Sequence, residues 1–230
     1  MPRVSCVVFA GKSLLPEIVK GKRVIDVGAC DFNGSVRPLI EAYVPSEYIG
    51  IDMIPGPSVD RVINANDLAQ AYGPESFDIV ICMETMEHSR YWRKTLSNIK
   101  MILKPGGYLV LTAPAPGYCY HGHPTDFWRY TPEDFKNLLS DFEIINTEYD
   151  KDGPGSFIFA RKPESNFQQN DLSQYPLFSI LTGSKIVELI PSHYRTGYYY
   201  RLITKHYLKT ATEWTFHALG RLVTRIFKIR

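Results

Sequence analysis

Cysteine is scarce in this chain. Only Cys6, Cys30, Cys82 and Cys119 occur among 230 residues, far apart and with no C-x-x-C pair, which argues against a disulfide framework and a cysteine-based structural zinc site. Long apolar runs are lacking too. No stretch approaches the roughly 20 residues that cross a bilayer, and the apolar patch in MPRVSCVVFAGKS ends at Gly11, so a cytoplasmic location without a cleaved signal is expected. Nor does one sign of charge dominate, the net value being +2, but the charge is unevenly spread. From Gly183 to Arg230 there are nine Lys/Arg against two Asp/Glu, and the preceding part has seventeen against twenty-two. The C-terminal part is thus a different kind of surface. With 44% hydrophobic residues the chain can bury a full core, and its length suits one domain with an appendage.

What is present is organised around Lys22 to Glu41, KRVIDVGACDFNGSVRPLIE. An apolar run, Arg23 to Val27, breaks at Gly28 into a loop of small and polar residues closed by Gly34, and a helical pattern follows at Val36, Leu39, Ile40 and Tyr43. Such a strand, turn and helix brings backbone N–H groups to the mouth of a parallel sheet, where glycine lets a nucleotide approach. Upstream, residues 9–20 read as a short helix with Leu14, Leu15, Ile18 and Val19 on one side.

Downstream, Tyr48 to Asp52 is a short apolar strand ending on a carboxylate 24 residues beyond Gly28. An acid at that place in a doubly wound sheet can accept hydrogen bonds from both ribose hydroxyls. Residues 59–68 give a third strand running into Asn64, Asn66 and Asp67, groups suited to an adenine edge or, for Asp67, to a helix N-cap. Phe77 to Met83 is a nearly continuous apolar strand followed by Glu84-Thr85-Met86-Glu87-His88; a helix from Tyr91 to Leu103 and a strand from Tyr108 to Pro114 come next. Alternation of this kind predicts a parallel sheet with helices on both faces.

The succession VIDVGACDFNGS, YIGIDM, NANDL, FDIVICMETMEH and LKPGGYLVLTAP resembles the class I S-adenosylmethionine-dependent methyltransferases, in the broad group with an E-x-x-E-H-type segment after strand four. The resemblance covers about residues 20–162 and implies an α/β, Rossmann-like seven-stranded sheet, mostly parallel with an antiparallel last strand. Glu143 to Asp150 and Ser156 to Lys162 fit its closing pair. It divides the chain into a methyltransferase domain at 1–163 and, at 164–230, a polar linker and a basic amphipathic helical tail. For S-adenosyl-L-methionine it implies Gly28 and Ala29 at the methionine part with Cys30 and Asn33 in the same loop, Asp52 at the ribose and Met53 at the adenine face. Asn66, Asp67 and Leu68 would meet the adenine edge, and Met83 and Glu84 the region after strand four. One departure is plain: the family loop D-x-G-x-G-x-G here carries Cys30 and Phe32 in place of two glycines.

Acceptor residues are expected in the loop 115–131, at the carboxyl end of the sheet. Tyr118, Tyr120, Trp128, Arg129 and Tyr130 are its candidate acceptor-binding groups. His121 or His123, with Asp126, is the candidate for taking a hydroxyl proton. The same His121, His123 and Asp126 can be read as a metal site, whereas the resemblance, through HP-x-D-F-W-R-Y-T-P, implies no metal and a structural role for the Asp-Arg pair. His88 reads as a structural partner in the strand-four turn, and Thr131-Pro132-Glu133-Asp134 as a capped helix start.

In the tail, Tyr200, Ile203, Tyr207, Ala211, Trp214, Thr215, Ala218, Leu219, Leu222, Val223 and Ile226 recur at helical spacing, with basic residues on other faces. Docking on the domain or on a second copy of the chain, and a peripheral anionic membrane contact, both fit residues 198–230; nucleic acid fits less well. The function expected is methyl transfer to an oxygen, with nitrogen second, of a small molecule, glycan or lipid-linked intermediate. The alternative is a binding or scaffold protein that has kept the fold and acts through its tail; an NAD-dependent oxidoreductase would share the glycine loop and acidic residue but leaves Asn66-Asp67 and Glu84 to His88 without a role.

Overall fold

The computed structural model describes residues 3–31, 34–122, 125–150 and 153–227, with side chains described as far as Thr212. In chain order the strands are β1 (Arg23–Val27), β2 (Glu47–Asp52), β3 (Arg61–Val62), β4 (Phe77–Met83), β5 (Leu103–Pro114), β6 (Trp128–Arg129), β7 (Glu143–Asp150) and β8 (Gly155–Arg161). All but β6 form one seven-stranded sheet in the order β3-β2-β1-β4-β5-β8-β7. The first five pair in parallel, and β8 lies antiparallel between β5 and β7. This is the Rossmann-like α/β sheet implied by the resemblance.

Both faces of the sheet are covered, which is why its central strands are apolar at nearly every position. Val24 of β1, Ile79 and Ile81 of β4 and Val110 of β5 face one core cluster. Their neighbours Ile25, Val27, Val80, Cys82, Leu109 and Leu111 face the other. The first cluster is closed by Cys6, Phe9 and Ala10 of α1 (Val4–Ser13), Val19 of α2 (Pro16–Val19) and Ile40 of α3 (Arg37–Ala42). The second is closed by α4 (Leu68–Tyr72), α5 (Trp92–Ile102) and α6 (Pro132–Leu138).

Local chemistry accounts for most boundaries. The helix expected over residues 9–20 starts earlier and is broken: α1 ends at Ser13, Leu15 is extended and α2 begins at Pro16. Proline holds the residue before it out of the helical region. Leu14 and Val19 are buried, but Leu15 is exposed and does not share their side. At α6 the capping box is complete, the Thr131 hydroxyl accepting from Asp134 N at 3.0 Å and the Asp134 carboxylate from Thr131 N at 2.9 Å, with Pro132 in the first turn.

The polar run 164–174, expected as a linker, is fastened to the domain. Phe167 meets Phe142 edge-on with ring centroids 5.7 Å apart. Asn170 Oδ1 accepts from the buried Lys100 Nζ at 2.8 Å, the same ammonium that pairs with Asp141 at 2.7 Å. Further on, β9 (Leu177–Ser179) and β10 (Ser184–Ile186) form a hairpin whose first strand pairs antiparallel with β6, making a second sheet of three strands. This hairpin clamps the end of the 115–131 loop, since Ile180 N also donates to Phe127 O at 3.0 Å.

The tail forms a long helix, α7 (Gly197–Phe227), but its docked face differs from the expected stripe. Tyr199 and Leu202 pack against the main core, while Tyr200 and Tyr207 are 58% and 67% exposed. Ile203 is half-buried and Ala211 exposed; Trp214 and the stripe members after it lie outside the described side chains. Among the described residues no helix is long and apolar enough to cross a membrane.

Candidate active site

Strand order fixes where the site lies. The chain moves outward from β1 to β2 and β3, then returns to place β4 on the other side of β1, so the carboxyl ends of β1 and β4 form a switch point where a crevice opens. Thr85 sits on that boundary, its hydroxyl bridging Val27 O at 3.2 Å and Met83 O at 3.0 Å. Gly28 follows with φ +84°, and a Cβ there would overlap the Thr85 hydroxyl, so both the backbone angle and the space require glycine. A cavity of about 390 Å³ lies above, walled by Gly28, Cys30, Asp52 and Met53 on the β2 side and by Glu84, Thr85 and His88 on the β4 side.

The sequence-derived cofactor residues divide in this frame. Gly28, Cys30, Asp52, Met53, Asn66 and Glu84 line the cavity. Ala29, Leu68 and Met83 are buried in the protein, and Leu68 belongs to the core under the sheet rather than to an adenine edge. Asp67 points to Lys94, 3.3 Å away, and does not cap α4; Asn98 Oδ1 accepts from Ala69 N at 2.7 Å instead. Asn33 lies outside the described residues.

The loop glycine does not act as first expected. Gly28 N and Ala29 N donate to Ile51 O at 2.8 and 2.9 Å, and Cys30 N to Asp52 Oδ2 at 3.3 Å. These N–H groups are therefore engaged within the protein, and Gly28 serves close approach rather than donation. Cys30 is absent from the residues with left-handed backbone, so its replacement of a family glycine costs no strain.

The acceptor loop contributes less wall than expected. Thr125 and Phe127 line the main cavity, and Trp128 lines a neighbouring one of about 540 Å³ that shares Arg90 and Tyr91 with it. Arg129 and Tyr130 are fully buried and hold the loop rather than an acceptor: Arg129 grips both Asp126 oxygens, with Nη2 to Oδ2 at 2.7 Å, and Tyr130 Oη donates to Met86 O at 3.1 Å. Tyr118 packs beneath the Arg3 guanidinium, and Tyr120 meets His206 of α7. His123 lies outside the described residues.

Residues 7–145, more than half of the chain, match the methyltransferase domain family. The chain belongs to that family. Phthiotriol/phenolphthiotriol dimycocerosates methyltransferase of Mycobacterium leprae (strain TN) is 29% identical over 179 residues, covering 68% of this chain and 65% of the relative. Ubiquinone biosynthesis O-methyltransferase of Thiobacillus denitrificans (strain ATCC 25259 / T1) is 32% identical over 106 residues, covering 40% and 44%. The chain thus spans less than two thirds of the length of these relatives. In fold it is similar to 1,6-didemethyltoxoflavin-N1-methyltransferase of Burkholderia thailandensis, whose structure holds 1,6-didemethyltoxoflavin and S-adenosylhomocysteine. The TM-score is 0.53 and the identity 15%, with 69% of this chain and 79% of that one covered. Residues 7–145 are thus a methyltransferase domain.

The residues of this domain fit S-adenosylmethionine, the cofactor that the resemblance implies. Asp52 offers a carboxylate at the cavity wall, and next to it Met53 and Ile54, 57% and 50% exposed, present apolar surface where an adenine plane can lie. A cavity of this size, mostly apolar with few polar groups, suits a nucleoside-bearing ligand. On the β4 side Glu84 is buried, with φ +50°. Burial and the nearby Glu87 carboxylate push it up to about 7, held back by Arg3, whose Nε lies 3.3 Å from Glu84 Oε2. Arg3 was missed in sequence because nothing in its neighbourhood marks it, yet it also pairs with Asp150 at 3.2 Å.

Charge also alters the expected roles of His121 and Asp126. Burial alone would lower His121, but Asp126 and Glu87 outweigh it and push it up to about 10. A base must be unprotonated to take a proton, so His121 in this state is no general base at neutral pH. Burial alone would raise Asp126, but Arg129 and His121 hold it well below the ordinary carboxylate range. It orients its neighbours and does not face the cavity.

Proposed function

We propose that this chain is an S-adenosylmethionine-dependent methyltransferase that acts on an oxygen of a small molecule, a glycan or a lipid-linked intermediate. The observation that carries the proposal is the junction of the two cavities. The second, flanked by Arg90, Tyr91, Lys94, Trp128 and Gln174, shares Arg90 and Tyr91 with the first. Cationic donors beside ring faces suit a hydroxylated acceptor that is too large for the inner cavity alone. An O-methyltransferase among the relatives agrees with oxygen as the receiving atom.

When bound, the cofactor would supply a sulfonium methyl carbon to the acceptor oxygen, with S-adenosylhomocysteine as the leaving group and the acceptor proton passing to solvent water. The chain's own groups arrange that encounter. Asp52 would accept from the ribose hydroxyls, Met53 would cover the adenine, and Gly28 gives the backbone clearance between them. Thr125 and Phe127, which line the cavity, would keep water from the reacting carbon. Holding two reactants in this way can replace much of what a dedicated base would give.

The outer side of α7 carries exposed Tyr200, Tyr207 and Leu208 beside exposed Arg201 and Lys205, chemistry that fits a peripheral contact with an anionic membrane surface bearing a lipid-linked acceptor. The test is methyl transfer from isotopically labelled cofactor to a panel of phenols, sugars, lipid-linked glycans and matched amines. Label recovered in ethers supports the proposal, and label recovered in amines alone contradicts it.

A further inference from the structure

Glu87 is fully buried, yet neither of its carboxylate oxygens has a hydrogen-bond partner. Buried carboxylates are rarely left so, because the cost of desolvation is then uncompensated. Two imidazoles face it. His88 Nε2 and His121 Nε2 each lie 3.6 Å from Glu87 Oε1, too long for a hydrogen bond, and the three potential ligand atoms fall within 4.8 Å of one another.

The far side of each ring explains its orientation. His88 Nδ1 lies 2.8 Å from Thr125 O, and a carbonyl can only accept, so the proton is on Nδ1. His121 Nδ1 lies 3.0 Å from Asp126 Oδ2, which is gripped by Arg129, so there too Nδ1 carries a proton. An ion that displaces the Nε2 proton of His121, its own charge replacing that of the imidazolium beside Glu87, would find both Nε2 lone pairs on the side of Glu87. With that proton displaced, three electron-pair donors face one another across a space that an ion can fill. Ring orientation through a backbone carbonyl on one side and a carboxylate on the other is the support that metal-bound histidines commonly have.

We propose that Glu87, His88 and His121 bind a divalent first-row transition ion such as Zn²⁺, Co²⁺ or Mn²⁺. Two ligands 3.6 Å apart, each about 2.1 Å from an ion, subtend about 120° at it, near the angle of three-ligand sites. The two imidazoles, within 4.8 Å, need close by up to about 1.2 Å to reach the same angle. A two-imidazole, one-carboxylate set selects such ions over Mg²⁺ and Ca²⁺, which prefer all-oxygen surroundings. The ligand set differs from the His121, His123 and Asp126 combination visible in sequence, because Asp126 is engaged by Arg129 and serves as the support of His121. Three protein ligands leave coordination positions open, and His88 lines the cofactor cavity. Given the methyl-transfer reading, on which this last step rests, the acceptor hydroxyl can coordinate the ion there and lose its proton more readily.

The test is Co²⁺ binding to chelator-stripped protein, followed by visible absorption and by thermal unfolding with Co²⁺, Zn²⁺, Mn²⁺ or Mg²⁺. One equivalent of Co²⁺ with imidazole-type bands, a raised unfolding temperature with the transition ions and little response to Mg²⁺ are expected. His121→Ala and Glu87→Gln abolish both signals, and Asp126→Asn weakens binding by about 10–100-fold. His121 is half-exposed, so its variant remains informative if burial makes Glu87→Gln fold poorly. No bands and no shift in the folded parent, or binding unchanged in His121→Ala, would overturn the proposal. S-adenosylhomocysteine binding, measured on the same samples, separates failure of the ion site from failure of the methyltransferase assignment.

Discussion

The rings of Tyr120 and His206 meet edge-to-face with centroids 5.0 Å apart, joining the 115–131 loop to the helical tail. The tail therefore bears on the loop that the proposed function sets against the acceptor. Such ring pairs contribute about 0.5–1.5 kcal/mol beyond area burial. His206→Ala is expected to raise the acceptor KM by up to about tenfold while leaving the dissociation constant of S-adenosylhomocysteine unchanged. Steady-state kinetics with a parallel binding titration checks this.

Asp52 is the one carboxylate on the β2 side of the cavity, among the described residues. Losing a hydrogen bond to a charged group costs about 1.5–3 kcal/mol. Asp52→Ala should weaken cofactor binding by roughly 10–100-fold, with a smaller stability loss from freeing Cys30 N and Ile54 N. Calorimetric titration gives the first and thermal unfolding the second; unaltered affinity would remove Asp52 from the ribose role.

Asp26 lies under the loop, buried, accepting from Tyr48 Oη at 2.7 Å. Burial pushes it up to about 6, the Tyr48 hydrogen bond opposing. Between about pH 4 and 6 the folded state then holds more protons at this site than the unfolded chain, so stability falls as pH rises through that window and levels off above it. Asp26→Asn keeps an acceptor for Tyr48 and lacks the titration. Relative to the parent it should gain about 2–3 kcal/mol as pH goes from 4 to 7, measured by denaturant unfolding.

Lys100 is fully buried and its ammonium depends on Asp141, 2.7 Å away, with Leu138 O and Asn170 as further acceptors. Removing one partner of a buried pair typically costs about 3–5 kcal/mol, because the other charge stays behind. Asp141→Ala should therefore lower stability by about that amount and loosen the 164–174 run that Asn170 anchors. Urea unfolding and proteolysis within that run would show both effects.

Where residues neighbour one another in sequence, the sequence was a good guide. Gly28 and Asp52 are legible because a strand end fixes its next residue at the crevice, and the alternation of β1, β4 and β5 is legible because helices cover both faces. The pairing of β6 with β9 was not, since strands of two and three residues have no period and their partners lie some fifty positions apart. The register of α7 was missed for another reason: apolar residues occur around much of its circumference, so Tyr199, Leu202 and His206 compete with Tyr200, Ile203 and Tyr207, and only contact with the domain decides. Likewise, Trp128, Arg129 and Tyr130 looked like acceptor groups because they are polar or aromatic, whereas Arg129 and Tyr130 bond loop atoms that sequence cannot place beside them.

The central claim is that the cavity at the ends of β1 and β4 holds S-adenosylmethionine despite the two replaced glycines. Thermal unfolding of the purified chain with S-adenosylmethionine, S-adenosylhomocysteine or NAD tests it most directly. A ligand at about 100 times its dissociation constant stabilises by roughly 2.7 kcal/mol. The account predicts a raised unfolding temperature with the first two and none with NAD. No shift with any of them, or a shift with NAD alone, would contradict it.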